Sequence, residues 1–447
     1  MIQNDFPAQE LAARRAKVLR RIGPEAGALV QGAGPVRGFE PFRQTNEFYW
    51  LSGVETAQAY LWLDGRRGAT TLFLPRRDER QERSDGPSLS VEDADEARAA
   101  TGVDDVRPLD ELERALRGAA SVFVPHSPAE GRAASRDVLV RSQKTAERDP
   151  WHGERPRERA LIERLGAGRT VRDLSPILDE LRLIKSPREI ELLRRAGMLS
   201  AVAVREAMRS TRPGLREHHL EAVARYLFRL NGAGGEGYCA IVASGPRIWH
   251  AHYFRNDAVL SDGDLVLMDY APDFRYYTSD IGRMWPVNGR YSPVQRELYG
   301  FMVRYHRALL SRIHPGRVAS EILVDAAREM AEVIASTKFS KEIYAQAARK
   351  ALEYAGHLSH PVGMAVHDVG DYRDRPLEPG MVFAVDPQMW VPEEKLYVRV
   401  EDTVAVTAAG VEVLTGAAPL DLDEVEAEVG VGGMVQAFPP RLDQESR

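Results

Sequence analysis

The sequence predicts two parts: an α/β first half, and a second half in which helices accompany strands that plausibly share one sheet. Three observations carry this. At 447 residues the chain is longer than one typical core supports, so two domains are the expectation. Up to about Val124, short apolar runs alternate with charged, helix-favouring segments, the pattern of an α/β layer. Beyond about Tyr238, several apolar runs of strand length each carry one acid or imidazole.

In the first half a helix is predicted around Gln9–Ile22, with Leu11, Val18 and Leu19 on one side and arginines on the other. Extended runs follow at Ala28–Val30, Phe48–Leu51, Tyr60–Leu63, Thr70–Leu74 and Val122–Val124, with helical segments at Val91–Ala100 and Leu109–Leu116. Arg76–Gly86 is dense in charge and reads as an exposed loop; Ser142–Arg157, with Pro150 and Pro156, reads as an irregular connection. Neither G-x-G-x-x-G nor G-x-x-x-x-G-K-[ST] occurs here, so phosphate cradling is not indicated. A long helical region is read from about Glu158 to Leu183. Ser186-Pro187-Arg188-Glu189 then signals a helix start, with Ser at the cap, Pro in the first position and an acid in the first turn. The domain boundary is placed in this region: residues 1–165 form the first domain, 166–430 the second, and 431–447 a loosely ordered, glycine- and proline-rich tail.

Composition narrows the function. A formal charge of −6 gives no support for nucleic-acid binding. No apolar run approaches membrane-spanning length, and the N-terminus lacks the apolar stretch of a signal peptide, so a soluble cytoplasmic protein is expected. The lone Cys239 rules out an internal disulfide; lying in YCAIVAS, it reads as a small core residue rather than a nucleophile.

The stretch LVLMDYAPDFRYYTSD, Leu265–Asp280, reads as a β-hairpin with Asp269 on one strand, Asp280 on the other and Ala271-Pro272-Asp273 as the turn. A strand core excludes an acid unless something offsets its charge. One such Asp would pair with an arginine such as Arg283; two in facing strands point to a cation. Further along come His250 and His252, then His357, His360 and His367 in GHLSHPVGMAVHDVG. Asp386 ends the apolar strand Val382–Val385, and LYVRVEDTVAV places Arg399 and Glu401 on one face. His306 in helix Ser292–Ile313 and His314 at its end read as surface residues, and helix Ala319–Ala335 carries no chemistry. Carboxylates that bridge two divalent ions, with one imidazole for selectivity, form the inventory of a two-metal hydrolytic site.

These residues carry a resemblance. LVLMDYAPDFRYYTSDIGRMWPVNG, HLSHPVGMAVHDVG, LEPGMVFAVDP and VRVEDTVAV resemble the pita-bread metallopeptidases, the family of methionine aminopeptidase, prolidase and aminopeptidase P. RLIKSPREIELLRRAG, just before them, is also typical of it. RRAKVLRRIGPEAGALV and PFRQTNEFYWLSGV resemble the N-terminal domain of aminopeptidase P, so the resemblance covers most of the chain. It implies an α/β N-terminal domain and an α+β pita-bread domain with a curved, mainly antiparallel sheet. It implies that Asp269 binds one metal, that Asp280 and Glu401 bridge two, and that His360 and Asp386 complete the second. His252 and His367 would flank the metals and contact substrate or the tetrahedral intermediate; Asp386 would relay the proton; Arg399 and Tyr372 would support the site through hydrogen bonds. The implied cofactor is a pair of divalent ions, manganese first and zinc or cobalt as alternatives. The implied substrate is a peptide with proline second, cleaved at the Xaa–Pro bond, and the implied assembly a homodimer or homotetramer. Prolidase, a creatinase-type hydrolysis and a metal-poor peptide-binding protein are the alternatives.

The chain departs from the family in three places. Asp386 stands where the family carries Glu, shorter by roughly 1.5 Å of methylene, against a tolerance of about 0.2 Å in metal–ligand distances. Tyr270-Ala271 replaces the usual Ala-Gly, and His357 is displaced by one position from the family's first motif histidine.

Overall fold

A six-stranded mixed sheet organises the first unit, in the order Asp105–Pro108, Ala69–Leu74, Tyr60–Asp64, Gly27–Gln31, Ser121–Val124, Thr170–Asp173. The inner pairings at Tyr60–Asp64 are antiparallel and the outer ones parallel. The structure, a computed structural model, describes residues 5–36, 38–153 and 155–440. The first helix runs Ala8–Ile22 and buries Leu11, Val18 and Ile22.

Four segments differ from the sequence reading. Phe48–Leu51 lies in a helix, Asn46–Ser52, whose seven residues are all buried and which ends at left-handed Gly53. A helix buried all round has no polar face, and a short apolar run cannot distinguish it from a strand. The region read as one helix from Glu158 to Leu183 is helix Arg157–Gly166, strand Thr170–Asp173 and helix Ser175–Leu183. That strand pairs in parallel with Ser121–Val124, so the first unit extends to Arg182 and the second begins at Leu183, rather than at 165/166. Arg76–Gly86 contains helix Glu79–Asp85, capped by Asp78, with no residue buried; part of Ser142–Arg157 continues helix Arg136–Ala146.

The second unit is built on an antiparallel sheet in the order Val382–Val385, Glu401–Thr407, Ile281–Pro286, Leu265–Asp269, Ile241–Ser244, with Gly410–Val413 also pairing with Glu401–Thr407. Helices Pro187–Ser210, Glu217–Leu230, Pro293–Leu310, Ala319–Ser336 and Glu342–Leu352 supply much of its apolar core. The run read as one strand from Leu396 breaks at Val400: Leu396–Arg399 forms a separate ribbon with Gln388–Val391. Pro272–Asp273 is more than a turn, since it pairs with Gly235–Glu236. Among the described residues no helix is long and apolar enough to cross a membrane.

Other expectations change here too. Cys239 is exposed, because the strand after it starts only at Ile241. His306 is fully buried, its Nε2 3.3 Å from Asp402 Oδ2, and burial lowers its pKa to about 4. Arg283 pairs with Asp402, not Asp280: Nη2 donates to Oδ1 at 2.7 Å, with both side chains 1% exposed. The Thr415 hydroxyl donates to the same oxygen. The tail is fastened as far as helix Met434–Ala437, where Met434 N donates to Glu206 Oε1 and Gln436 Nε2 to Ser210 O; residues 441–447 lie outside the described residues.

Helix Pro187–Ser210 begins as its sequence requires. Ser186 Oγ accepts from Glu189 N, and the Glu189 carboxylate accepts from Ser186 N. Gly197 lets the chain at Leu414 approach this helix; a Cβ there would lie 2.6 Å from the Leu414 carbonyl oxygen. Gly197→Ala is therefore expected to destabilise the second unit by about 1–3 kcal/mol despite its better helix propensity, measured by chemical denaturation.

Candidate metal centre

Asp269, Gly282 and Glu401 stand in register on three neighbouring strands. Gly282 in the middle keeps the row open, because a Cβ there would lie 3.1 Å from Glu401 Cβ and 3.4 Å from Arg399 Nε. Asp280 is two residues before Gly282. Its backbone N–H donates to Thr403 Oγ1 at 2.6 Å, and its carbonyl accepts from the Thr403 hydroxyl at 2.8 Å.

His360 comes from a loop laid along the edge strand Val382–Val385. Val362 N donates to Val382 O at 3.0 Å, and Ala384 N to His360 O at 2.9 Å. Tyr372 pins this loop through its backbone: its hydroxyl donates to Ser359 O at 2.7 Å and accepts from Ser359 N at 3.1 Å, while its ring stacks on Phe383. His360 Nε2 lies 3.2 Å from Asp280 Oδ2. Ligand atoms of Asp280, His360 and Glu401 all fall within 4.8 Å of one another.

Two side chains connect the remaining acids. The Tyr238 hydroxyl lies 2.6 Å from Asp269 Oδ1 and 2.9 Å from Asp280 Oδ1. Arg399 Nη1 donates to Asp269 Oδ2 at 2.8 Å. Its Nε and Nη2 fork onto Asp386 Oδ1 and Oδ2 at 3.0 and 2.9 Å, and Nη2 also reaches Glu401 Oε2. The expected common face for Arg399 and Glu401 is thus realised as direct contact. Gln388 adds a hydrogen bond to Asp386. His367 is half-buried, its ring centroid 4.1 Å from that of His360. His252 is exposed and stacked on Phe254, and His250 and His314 are exposed. His357, half-buried, lines with Asp386, Gln388, Trp390, Leu309 and Tyr305 a cavity of about 410 Å³ beside the cluster.

The electrostatics describe acids crowded beyond what the protein neutralises. Burial and the charge of Asp280 push Asp269 up to about 7, despite Arg399. Burial, partly offset by Arg399, raises Glu401 well above the usual range. Asp280 is held low: burial opposes its charge, but the hydrogen bond and charge of His360 outweigh it. His360 is raised in turn, with the Asp280 contact overcoming burial. Tyr238 has one hydroxyl proton and cannot donate to two carboxylates at once. Asp269 is the acid of this pair driven towards the protonated form when no cation is bound. Glu401 Oε1 is buried without a hydrogen-bond partner. Four clustered carboxylates, one imidazole and an orphaned buried oxygen fit divalent metal ions, which supply the missing positive charge.

Tyr238, Thr403 and Gly282 escaped the sequence reading. Thr403 was legible, since it shares strand parity with Glu401. Tyr238 carried no such signal, because YCAIVAS reads as an apolar strand.

The sequence matches the metallopeptidase family M24 over residues 191–408 and the aminopeptidase P N-terminal domain over residues 11–127. It is 33% identical over 446 residues to the Xaa-Pro aminopeptidase of Escherichia coli (strain K12), covering 95% of this chain and 98% of that one. The chain belongs to the aminopeptidase P branch of metallopeptidase family M24. Two solved aminopeptidase P structures agree with that family's fold. The Pseudomonas aeruginosa aminopeptidase PepP matches with TM-score 0.75 and 31% identity, over 96% of this chain and 98% of its own. The E. coli aminopeptidase P with the inhibitor Pro-Leu matches with TM-score 0.76 and 31% identity, over 95% and 98%.

Because Asp269 is protonated below about pH 7 in the metal-free folded protein and only below about 4 when unfolded, its ionisation costs stability as pH rises between these values. An asparagine at this position would not titrate. In chelator, the melting temperature of Asp269→Asn relative to wild type is expected to rise from pH 5 to pH 8; a pH-independent difference would contradict the protonated Asp269.

Proposed function

We propose that this aminopeptidase P family member is a dinuclear metal-dependent aminopeptidase that hydrolyses the N-terminal Xaa–Pro bond of peptides. The observation that carries the reading is the cluster of Asp280, His360 and Glu401, with Asp269 and Asp386 drawn to it by Tyr238 and Arg399. Asp269 with Asp280 and Glu401 would hold one ion; His360 and Asp386 with the same two shared acids would hold the other. Manganese(II) is the proposed metal, with zinc and cobalt as alternatives for the same ligands. When bound, such ions supply carbonyl polarisation and a water acidified towards neutral pH.

The chain's own residues do the rest. Asp386 takes the proton of the attacking water and passes it to the proline nitrogen as that nitrogen leaves. Arg399 orients Asp386 through its two-pronged contact, which fixes the carboxylate plane. His252 and His367 donate to the oxyanion that develops at the scissile carbonyl. Tyr372 keeps the His360 loop in place from behind. The proposed substrates are peptides with proline second, in a homodimer or homotetramer of a cytoplasmic enzyme.

Elemental analysis for manganese, paired with hydrolysis of an Xaa-Pro-Xaa tripeptide, tests the reading. Two ions per chain and release of the first residue are expected, and Asp280→Asn should remove both. Full activity in that variant would sink the assignment. Cleavage of longer peptides separates an aminopeptidase from an enzyme confined to dipeptides.

Asp386 offers a second test specific to this chain. It lines the cavity of about 410 Å³ beside the cluster. Asp386→Glu is expected to bind the second manganese at least several-fold more tightly, without loss of turnover, by metal titration and initial rates. Loss of the second ion in that variant would show that the site is matched to the shorter acid.

A further inference from the structure

The run Lys185-Ser186-Pro187-Arg188-Glu189 opens the second unit as a helix start, but a capping role uses neither Lys185 nor the far oxygen of Glu189. Both side chains are buried. Lys185 Nζ lies 3.2 Å from Asp368 Oδ2, with each side chain 2% exposed. Asp368 follows His367 directly. Glu189 spends one oxygen on Ser186 N, and its other, Oε1, accepts from the Tyr277 hydroxyl at 2.8 Å. Tyr277 is three residues before Asp280. One five-residue stretch thus grips both loops that bring Asp280 and His360 to the cluster.

Three further contacts tighten the arrangement. The loops touch each other where Thr278 N donates to Gly363 O at 2.9 Å. Lys185 N donates to Gly380 O at 2.9 Å, at the turn entering Val382–Val385, which carries the backbone bonds to the His360 loop. Gly363 is packed so closely that a Cβ would fall 2.0 Å from Asp368 Oδ2 and 3.1 Å from Lys185 Cε. The loop before Asp280 also needs restraint, since Arg275 and Tyr276 have φ of 52° and 73°, uncommon for side chains of that size. A buried ion pair is a weak source of net stability. It is a strong geometric constraint, because moving either partner away leaves an uncompensated charge.

We propose that Lys185 and Glu189 are positioning residues: they set the spacing between the loop that ends at Asp280 and the loop that carries His360 and His367, and through it the affinity of the centre for divalent metal. This rests on the metallopeptidase reading above. Neither residue touches the ligands; each acts through the backbone it holds.

The test uses the full chain, stripped of metal and titrated with manganese(II), with backbone hydrogen exchange as a second readout. Tyr277→Phe removes a single hydroxyl. The double variant Lys185→Gln with Asp368→Asn removes the ion pair by neutralising both of its partners. Each is expected to weaken manganese binding by roughly tenfold or more, the range for groups that orient metal ligands. Turnover should fall while KM stays within about twofold, and exchange should quicken in residues 276–280 and 359–368 but not in helix Pro293–Leu310. Wild-type manganese affinity and wild-type exchange in both variants would overturn the proposal. If the wild-type chain itself binds none of manganese, zinc and cobalt, the metallopeptidase reading fails, and exchange still decides: quickening confined to the two loops supports the clamp, and unchanged exchange refutes it.

Discussion

Mutual repulsion of carboxylates on one face of an antiparallel sheet is the constraint to which the second unit is fitted. Strands in a sheet lie only about 5 Å apart, so acids in register on them cannot avoid one another. Asp269 and Glu401 are separated by the strand that carries Gly282, which adds no side chain to the row. Arg399 gives one guanidinium to three acids, and Tyr238 places one hydroxyl between two. The charge that remains is distributed unevenly: Asp280 stays ionised beside His360, while Asp269 and Glu401 are driven towards the protonated form.

The supports differ in kind according to where each proposed ligand comes from. Asp269 and Glu401 belong to strands and inherit their positions from the ladder. Asp280 lies just outside its strand and is tied back by two hydrogen bonds to Thr403. His360 lies on a loop, the least precise platform, and that loop is fastened along its length to the edge strand and from behind by Tyr372. The more a proposed ligand departs from regular structure, the more dedicated contacts surround it.

Much of this was legible in the chain because buried acids are conspicuous in apolar runs. Asp269 in LVLMD and Glu401 in VRVED stand out on strand parity alone, and the helix start at Ser186 is written in its capping residues. What was lost was lost for physical reasons. Asn46–Ser52 is buried on every side and has no polar face to betray a helix. Thr170–Asp173 is a half-exposed edge strand of four residues between two helices, too short to show a period. His306 resembled a surface residue because its helix is amphipathic, yet it falls on the buried side against Asp402. Tyr238 precedes its strand by three residues, and only the folded loop turns its hydroxyl onto the acids.

Glu401 and Asp402 are neighbours in one strand and therefore point to opposite faces of the sheet. Asp402 meets Arg283 and Thr415 in the packed interior, whereas Glu401 joins the cluster of acids and keeps one oxygen without a partner. A slip of one residue in one direction would carry Asp402 into the crowd and leave Arg283 facing Thr403, which has no charge to offer it. A slip the other way would turn Glu401 towards Arg283 and put Val400 among the acids, opposite Arg399. The adjacent pair thus acts as a two-sided key for strand alignment. The chain reaches its correct pairing partly because each wrong one separates Asp402 from Arg283 and takes Glu401 out of the cluster.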